Sequence, residues 1–486
     1  MKVTFINPTF KREHGRFSRE QRSPAITKGG TFYYPMWLAY SAGVLDSEGA
    51  EVDLIDAPAR GLTDEDCLSR IESFHPDVVV IDTSTPSIAS DAAFAEQIKE
   101  RLSATTVMVG PHPSAQPEET LKLSKAIDAI CRGEYDWTIL DIVRAKSDGG
   151  SLAGIAGLTY ANNGAAIRNP DRPMIEDLDQ LPFVSGVYRK HLRVEDYFYT
   201  IARHPVISLV TGRGCPNQCF FCVYPQTMFG RHYRMRSVAN ILDEIEYIQS
   251  EIPQVKDIFL EDDTFTTDSR RVAEFAAQVK TRKLNFSYLT NSRANLDYPT
   301  LKNLKDSGCR LVCVGFESGD QTILNNISKN LRLSQAADFA REARRAGILV
   351  HGCFMAGLPG ETKDTLKKTI DFARSLPLDS AQFFPLMVYP GTEAYNWAER
   401  NHYLLHHDYS KWVTPEGLHN FTVSLPEMGP EEMLYYCDLA RKRFYLRFSY
   451  ILYRLIRLIR FPREDFGRIF KSLRIFARHL VKYIFK

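Results

Sequence analysis

The first third of the chain alternates short apolar runs with segments of helical period. Five apolar runs have the length of strands, and they lie at residues 3–7, 52–56, 77–81, 106–109 and 127–131. Helical patterns separate them, for instance at residues 35–46, 63–74 and 89–102. Strands joined by helical crossovers form a parallel sheet covered on both faces. Residues 1–150 are therefore predicted to be a doubly wound α/β domain with a five-stranded parallel sheet.

The same alternation resumes between residues 204 and 400. Six strand candidates lie at residues 206–210, 257–261, 285–290, 310–316, 349–356 and 380–388. Six βα units predict a partial (β/α)6 barrel, whose functional groups are expected at the carboxyl ends of the strands. Residues 151–203 are predicted to hold a hairpin, with turn residues Asn162-Asn163-Gly164, and a proline-bearing linker.

Residues 401–486 are predicted to be a helical region that ends in a basic amphipathic tail. From Arg441 onward, 14 Lys and Arg accompany only two acidic residues. Arg454, Arg457 and Arg460 lie three apart along one stripe of a helix whose other positions are apolar. Such a helix is typical of a membrane interface, where cations meet anionic headgroups. A helix packed on the barrel and a nucleic-acid-binding arm are the alternatives.

Three cysteines in one short loop are the strongest chemical signal. Cys215, Cys219 and Cys222 have the spacing C-x3-C-x2-C directly after the first barrel strand. Three thiolates on a [4Fe–4S] cluster leave one iron open to bind a substrate. A structural zinc site, which would need a fourth ligand from elsewhere, and three buried thiols are the alternatives.

Polar and small residues collect at the carboxyl ends of the strands in both halves. In the first half they form the segments 83–87, 110–114 and 133–134, where a parallel sheet binds ligands, although ordinary loops have similar compositions. In the barrel they include Asp262, Asp263 and Tyr389, for which we predict substrate contact or radical quenching, with strand capping as the alternative.

Composition limits the cellular setting. A net charge of +2 with 25% charged residues does not indicate nucleic acid as a partner. Nine cysteines, three of them clustered, suit a reducing cytosol. We find neither a signal-peptide pattern nor an uninterrupted apolar window of membrane-spanning length. The expected location is the cytoplasm, with the basic tail peripheral on the inner face of the membrane.

The cysteine spacing, with Phe221 just before the third cysteine, resembles the signature of the radical S-adenosylmethionine (SAM) enzymes. The resemblance implies a [4Fe–4S] cluster that binds SAM and cleaves it to a 5′-deoxyadenosyl radical. It also implies a flavodoxin or ferredoxin as electron donor. The residues that match SAM-contacting positions, or suit them by charge, are Phe221, Glu261, Arg293, Glu317, Gly352 and Gly357.

The first domain resembles the cobalamin-binding domain that precedes the barrel in many radical SAM enzymes. The matching residues are Ser84, Thr85, Ser87, Gly110, Pro111, His112, Gly133 and Glu134. The D-x-H-x-x-G motif, which supplies a histidine to cobalt, does not occur in the sequence. Bound cobalamin is therefore expected without a protein histidine on the metal.

Several short stretches resemble hopanoid-biosynthesis-associated radical SAM proteins, among them 56–58, 83–90, 174–184, 195–198 and 261–266. That resemblance implies a lipid-linked or small-molecule substrate and ring contraction of a hopanoid side-chain sugar to a cyclitol ether. One alternative is cobalamin-dependent C-methylation of a lipid or another natural product. A corrinoid-binding sensor or partner protein is the alternative from another class.

Overall fold

The computed structural model describes residues 1–20 and 22–460. The second amphipathic stretch predicted in the tail, at residues 466–485, lies outside the described residues. The architecture is α/β, with two sheets and C-terminal helices, as predicted.

The first sheet has seven strands in the order β2-β1-β3-β4-β5-β6-β7. The strands are β1 (Lys2–Asn7), β2 (Glu51–Asp56), β3 (Val78–Asp82), β4 (Thr105–Val109), β5 (Ala129–Cys131), β6 (Leu158–Asn162) and β7 (Ala165–Arg168). The first five are parallel, which confirms the five-stranded parallel sheet, and β3 at its centre is buried throughout. The predicted hairpin is β6–β7, but it extends this sheet antiparallel to β5 rather than standing in the linker.

The helices of this half are α1 (Met36–Ser47), α2 (Ala57–Arg60), α3 (Asp64–Phe74), α4 (Ile88–Arg101), α5 (Pro111–Ala115), α6 (Pro117–Leu123), α7 (Asp136–Ser147) and α8 (Val184–His191). A long connection over residues 8–35 joins β1 to α1 and carries side chains toward the second sheet.

The second sheet is parallel and has six strands in the order β15-β14-β13-β12-β11-β8. They are β8 (Val206–Leu209), β11 (Asp257–Leu260), β12 (Tyr288–Ser292), β13 (Cys309–Glu317), β14 (Leu349–Ala356) and β15 (Ser380–Pro385), while β9 (Gly212–Arg213) and β10 (Arg234–Met235) form a separate two-stranded ladder. All six predicted barrel strands are present, which confirms the partial barrel.

The helices around this sheet are α9 (Val223–Thr227), α10 (Val238–Glu251), α11 (Ser269–Thr281), α12 (Tyr298–Asp306), α13 (Gln321–Asn326), α14 (Leu333–Ala346), α15 (Lys363–Ser375) and α16 (Glu393–Arg400). Two more, α17 (Pro430–Tyr445) and α18 (Phe448–Arg460), follow at the C-terminal side.

The carboxyl edges of the two sheets face each other. Helix α5, which begins just after β4, packs on α9, which begins just after the cysteine motif. Gly391, after β15, lies between Ala115 of α5 and Thr227 of α9. Both predicted ligand-binding edges therefore border one shared region.

Helix α18 is oriented differently from the prediction. Arg457 points inward, where its guanidinium lies 3.7 Å from the Asp379 carboxylate, instead of outward toward headgroups. The arginine stripe cannot as a whole lie at a membrane surface. Within residues 1–20 and 22–460, no helix is both long and apolar enough to cross a bilayer.

Candidate active site between the two sheets

The cysteine loop is held by local backbone geometry. The ladder between β9 and β10 closes the loop, pairing Arg213 with Arg234. Gly214 precedes Cys215 with φ +85°, and a Cβ at this position would lie 2.1 Å from the His232 carbonyl oxygen. Only glycine fits this close backbone approach, so the turn that presents Cys215 depends on it.

The three thiols share one region and have hydrogen-bond donors beside them. Cys215 and Cys219 are buried, and Cys222 is half-buried. Burial raises the pKa of the Cys222 thiol well above its usual value, and Asp263 and the other two thiols raise it further through their proximity. Asn217 Nδ2 lies 3.3 Å from Cys215 Sγ, and Arg293 Nη1 lies 3.6 Å from Cys219 Sγ.

This donor set fits a [4Fe–4S] cluster. A cubane binds each thiolate at a different iron, so the ligands need only face a common space. In the described part of the chain, no three His, Cys, Asp or Glu side chains are arranged to hold a single metal ion.

An acidic group follows β11, and an arginine from the first domain neutralises part of it. Arg22 Nη1 donates to Glu261 Oε1 at 3.0 Å, and Arg22 Nη2 donates to Asp263 Oδ1 at 3.3 Å. The other oxygen of Glu261 is buried and has no partner in the described residues. Burial raises the pKa of Glu261 to about 7, against the opposing effect of Arg22. This pair of carboxylates suits a ligand that carries an ammonium group.

The two other catalytic candidates have internal partners. Asp262 accepts hydrogen bonds from the Thr211 backbone N–H at 2.6 Å, the Thr211 hydroxyl at 2.6 Å and the Tyr233 hydroxyl at 2.8 Å, which is the strand-capping arrangement. The Tyr389 hydroxyl lies 3.1 Å from Ser23 Oγ. Both side chains therefore tie the barrel edge to neighbouring loops in this structure.

Most of the remaining predicted SAM contacts surround Cys219. Glu317 ends β13 with φ +63° and pairs with the Lys329 ammonium at 2.7 Å. That ammonium lies 6.0 Å from the centre of the Phe221 ring, and Arg293 donates to the Lys329 carbonyl oxygen. The structure thus brings Phe221, Arg293 and Glu317 together. Lys329 is a further member that the sequence did not single out.

The two predicted glycines have different surroundings. A Cβ on Gly352 would lie 2.7 Å from Leu378 Cδ1, so its open side faces the core beneath the helices. Alternate residues of a strand face opposite sides, so His351 and Cys353 face the other side of the sheet. The SAM contact at Gly352 stays a prediction. Gly357 has φ +96°, and its N–H donates a hydrogen bond to Glu361 Oε2. It therefore forms the turn after β14.

At the edge of the first sheet, several predicted residues bond to one another. The hydroxyls of Ser84 and Ser87 are 2.9 Å apart, and Ser87 also donates to Asp91 at 2.6 Å. His112 is buried, its Nδ1 lies 3.2 Å from Thr85 Oγ1, and burial lowers its pKa to about 4. His112 is held as a structural residue beneath this edge.

Backbone geometry and unpartnered polar atoms at this edge fit a large amide-bearing cofactor such as cobalamin. Gly110 has φ +119°, and a Cβ there would lie 2.4 Å from the Thr83 carbonyl oxygen, so two strand ends meet without side chains between them. Asp82 Oδ2, Tyr135 Oη and Trp37 Nε1 are buried and have no hydrogen-bond partner in the described chain. Corrin side-chain amides can both donate and accept, so this set can serve them. Pro111 opens α5 and Gly133, with φ +65°, follows β5 at the same edge.

Glu134 differs from the other predicted contacts, because its carboxylate lies in a buried ion network that joins the first domain to the β9–β10 ladder. It accepts from Arg213 at 2.8 Å and Arg234 at 2.6 Å, and Arg213 also pairs with Asp136 at 2.6 Å. The Glu134 carboxylate is therefore satisfied by these arginines, and a contact between residue 134 and cobalamin stays a prediction. Sequence reasoning missed this network, because the sequence around Arg213 and Arg234 gives no sign of the distant carboxylates with which they pair.

Comparison with protein families matches both halves of the chain. The model described as "B12 binding domain" matches residues 22–143, and the model of the "Radical SAM superfamily" matches residues 209–373.

Three curated relatives extend the match over most of the chain. An "uncharacterized methyltransferase" of Pyrococcus horikoshii, PH0819, is 35% identical over 388 residues, which are 79% of this chain and 83% of the relative. The anaerobic magnesium-protoporphyrin IX monomethyl ester cyclase of Rubrivivax gelatinosus is 28% identical, covering 81% of this chain and 69% of the relative. Cytidylyl-2-hydroxyethylphosphonate methyltransferase of Streptomyces wedmorensis is 26% identical, covering 74% and 77%.

Two solved structures share the fold. The methyltransferase TsrM of Kitasatospora setae, with cobalamin and a [4Fe–4S] cluster bound, has a TM-score of 0.66 at 20% identity and covers 82% of this chain and 78% of its own. The radical enzyme OxsB, with aqua-cobalamin and SAM bound, has a TM-score of 0.69 at 15% identity and covers 90% and 65%. With these matches, the chain belongs to the radical SAM enzymes that carry a B12-binding domain, whose cofactors are a [4Fe–4S] cluster, SAM and cobalamin.

Proposed function

We propose that this enzyme is a cobalamin-dependent radical SAM C-methyltransferase that acts on a small molecule. The observation that carries the proposal is the packing of α5 on α9. This contact brings the carboxyl edge of the first sheet, where cobalamin is predicted to bind, next to the cysteine loop. A methyl donor on one side and a radical source on the other would then border one substrate space. The methyltransferases among the relatives agree with this assignment.

The expected ring contraction of a hopanoid sugar receives no support. The three curated relatives are two methyltransferases and a magnesium-protoporphyrin cyclase, and none of them is specific to hopanoids. The alternative stated from the sequence, C-methylation, is therefore the better account. A lipid as the substrate is likewise not indicated by these relatives.

When bound, the cluster supplies the electron that splits SAM, and the corrinoid supplies the methyl group. The chain's own residues would hold and orient these groups. Glu261 and Asp263 would accept hydrogen bonds from the SAM amino group, and Arg293, beside Cys219, would pair with its carboxylate. A low-potential one-electron donor of the flavodoxin or ferredoxin class would be needed for each turnover.

Isotope labelling tests the reaction class and does not require the substrate to be identified first. Cells with and without the gene are grown on methionine that carries a trideuteromethyl group, and their small-molecule extracts are compared by mass spectrometry. We expect extracts of cells with the gene to contain a product with a trideuteromethyl group bound to carbon, and extracts of cells without the gene to lack it. With the purified enzyme, that product should appear with equal amounts of S-adenosylhomocysteine and 5′-deoxyadenosine.

Other outcomes of this experiment would contradict methyl transfer. A gene-dependent product without the label, formed with 5′-deoxyadenosine alone, would indicate a rearrangement or a cyclase reaction like that named for the Rubrivivax relative. Reconstituted protein that binds a corrinoid but does not cleave SAM under strong reductant would favour a sensor or partner protein.

A second prediction concerns the pH dependence of SAM binding. Because the pKa of Glu261 is raised to about 7, its carboxyl group is neutral below that pH and charged above it. Burial and the charge of Asp262 oppose the charged form of Glu261, while Arg22 and Asn291 favour it. An ammonium group binds the carboxylate, so SAM affinity should fall as the pH drops below about 7, by up to about tenfold per unit.

Calorimetric titration of SAM into cluster-loaded, unreduced enzyme checks this expectation. Glu261→Gln should bind SAM more weakly and with a flatter pH profile. Glu274→Gln, at an exposed position of α11, is the matched control and should behave as the native enzyme does. A native profile that Glu261→Gln leaves unchanged would exclude the proposed contact.

A further inference from the structure

Helix α18 presents an apolar face to the outside, although it is firmly attached to the barrel. Six apolar residues recur at helical spacing on its outward side: Phe448, Ile451, Leu452, Leu455, Ile456 and Ile459. Phe448 and Ile459 are each 80% exposed, and the other four are 43–53% exposed. An amphipathic helix on a globular protein normally buries its apolar stripe, so this orientation is inverted.

Polar contacts on the inward side of the helix fix its orientation on the barrel. The Tyr450 hydroxyl donates to the Asp379 carbonyl oxygen at 2.9 Å, and the Tyr453 hydroxyl donates to the Asp379 carboxylate. Arg457 lies 3.7 Å from the same carboxylate, and Arg344 of α14 stacks on the Tyr453 ring at 4.8 Å. These polar contacts fix the apolar side outward.

Cations also lie close to the start of the helix. Arg447, just before α18, donates to the carbonyl oxygen of Arg374, which is near the end of α15. The Arg447 guanidinium also lies over the Phe444 and Tyr450 rings, at 4.3 and 5.7 Å. Burial lowers the pKa of Arg447, and the like charges of Arg374 and Arg344 lower it further. The sequence from Arg441 to the end adds to this charge, with 14 Lys and Arg against two acids.

An exposed apolar stripe within a strongly basic part of the chain matches one class of partner, an anionic lipid bilayer. We propose that α18 docks this enzyme on an anionic membrane surface through its outward face, with the nearby arginines at the lipid headgroups. The inference does not depend on the methyl-transfer reaction.

The docking geometry also sets the orientation of the enzyme. Asp379 immediately precedes β15, and Arg457 lines a cavity together with the amino-terminal residues of three other strands, Asp257, Cys309 and Leu349. Helix α18 therefore lies at the amino end of the barrel, opposite the cysteine loop. On the membrane, the active-site edge would point away from the bilayer, so that substrate enters from the aqueous side.

Vesicle flotation of the full chain tests the docking. The native protein should float with vesicles of phosphatidylcholine and phosphatidylglycerol, bind pure phosphatidylcholine poorly, and be released by high salt. The double variant Leu452→Ser/Leu455→Ser should bind the anionic vesicles at least about tenfold more weakly, because two large apolar side chains no longer enter the lipid. The matched control, Leu123→Ser/Ile167→Ser, removes two exposed apolar side chains from the first domain and should bind normally.

Hydrogen exchange with and without vesicles tests the orientation. Protection is expected over residues 448–460 and not over residues 215–227. Native protein that does not float, or flotation that Leu452→Ser/Leu455→Ser leaves intact, would overturn the proposal. A dimer in solution that this variant dissociates, without flotation, would assign the face to a second copy of the chain instead. Protection at the cysteine loop in place of α18 would overturn the orientation.

Discussion

Replacing Cys219 by alanine is expected to abolish reductive cleavage of SAM. The loop provides three thiols, and a cluster with one open iron needs all three. Changes around a metal ligand commonly reduce activity about 10–100-fold, so the loss of a ligand itself should cost roughly a thousandfold or more. The readouts are iron and sulfide per chain, the visible absorbance of the cluster, and 5′-deoxyadenosine formed under strong reductant.

Cys309→Ala is the control for this experiment. Cys309 is also a buried barrel cysteine, at the start of β13, and its thiol lies 3.6 Å from the Leu311 carbonyl oxygen. This variant removes a thiol of the core, so it should retain the cluster and lose only about 1 kcal/mol of stability. If both variants assembled a complete cluster and cleaved SAM alike, the assignment of the loop as the cluster site would be wrong.

The strands could be predicted because a buried strand appears in the sequence as a short run of apolar residues. The run 349–356 coincides with β14, and the other barrel strands shift by only a few residues at their ends. Parallel strands place their carboxyl ends at one edge, which is why the two ligand-binding edges could be predicted without knowing how the sheets are arranged.

The contacts between the sheets could not be predicted in the same way. Arg22 and Glu261 are 239 residues apart, and a single basic residue in a loop carries no periodic signal. The same is true of Lys329. Arg213 lies in strand β9, but a strand of two residues also carries no periodic signal. The side that Gly352 faces could have been predicted, because successive residues of a strand point to opposite sides. Its neighbours His351 and Cys353 are half-buried on one side of the sheet, so Gly352 faces the helices on the other.

The orientation of α18 shows a further limit of pattern reasoning. The apolar and basic stripes were visible in the sequence, but which stripe faces the barrel depends on Asp379, more than 70 residues earlier in the chain. The sequence pattern of a helix shows which residues share a face. Tertiary contacts then decide which of these faces is exposed.

Replacing Arg213 by methionine is expected to lower the free energy of unfolding more than any of the other substitutions described above. Its side chain is 2% exposed, and it neutralises Glu134 and Asp136 of the first domain. Burial opposes charge on Glu134, yet Arg213 and Arg234 hold the pKa of this carboxyl below its usual value. A depressed pKa means that the stabilisation is present above the ordinary pKa of a glutamate and is lost as the pH falls through the lower, folded value.

Without Arg213, Glu134 would still pair with Arg234, whereas the buried Asp136 would lose its guanidinium partner. Removing one partner of a buried ion pair typically costs about 3–5 kcal/mol, so the melting temperature at neutral pH should fall by several degrees. The loss should shrink in acid, where protonation removes the uncompensated charge. Arg270→Met, at an exposed ion pair on α11, is the control and should cost less than about 1 kcal/mol.

A double variant separates the loss of charge balance from the loss of packing. Arg213 lies over the rings of Trp37, Tyr40 and Phe229, at 5.0–5.5 Å, so methionine keeps part of an apolar contact in this position. Adding Asp136→Asn to Arg213→Met removes one uncompensated carboxylate and should restore part of the lost stability in thermal unfolding. If the double variant were less stable than Arg213→Met by the full cost of Asp136→Asn alone, the two sites would not be coupled. The ion network could then not be what joins the first domain to the cysteine loop.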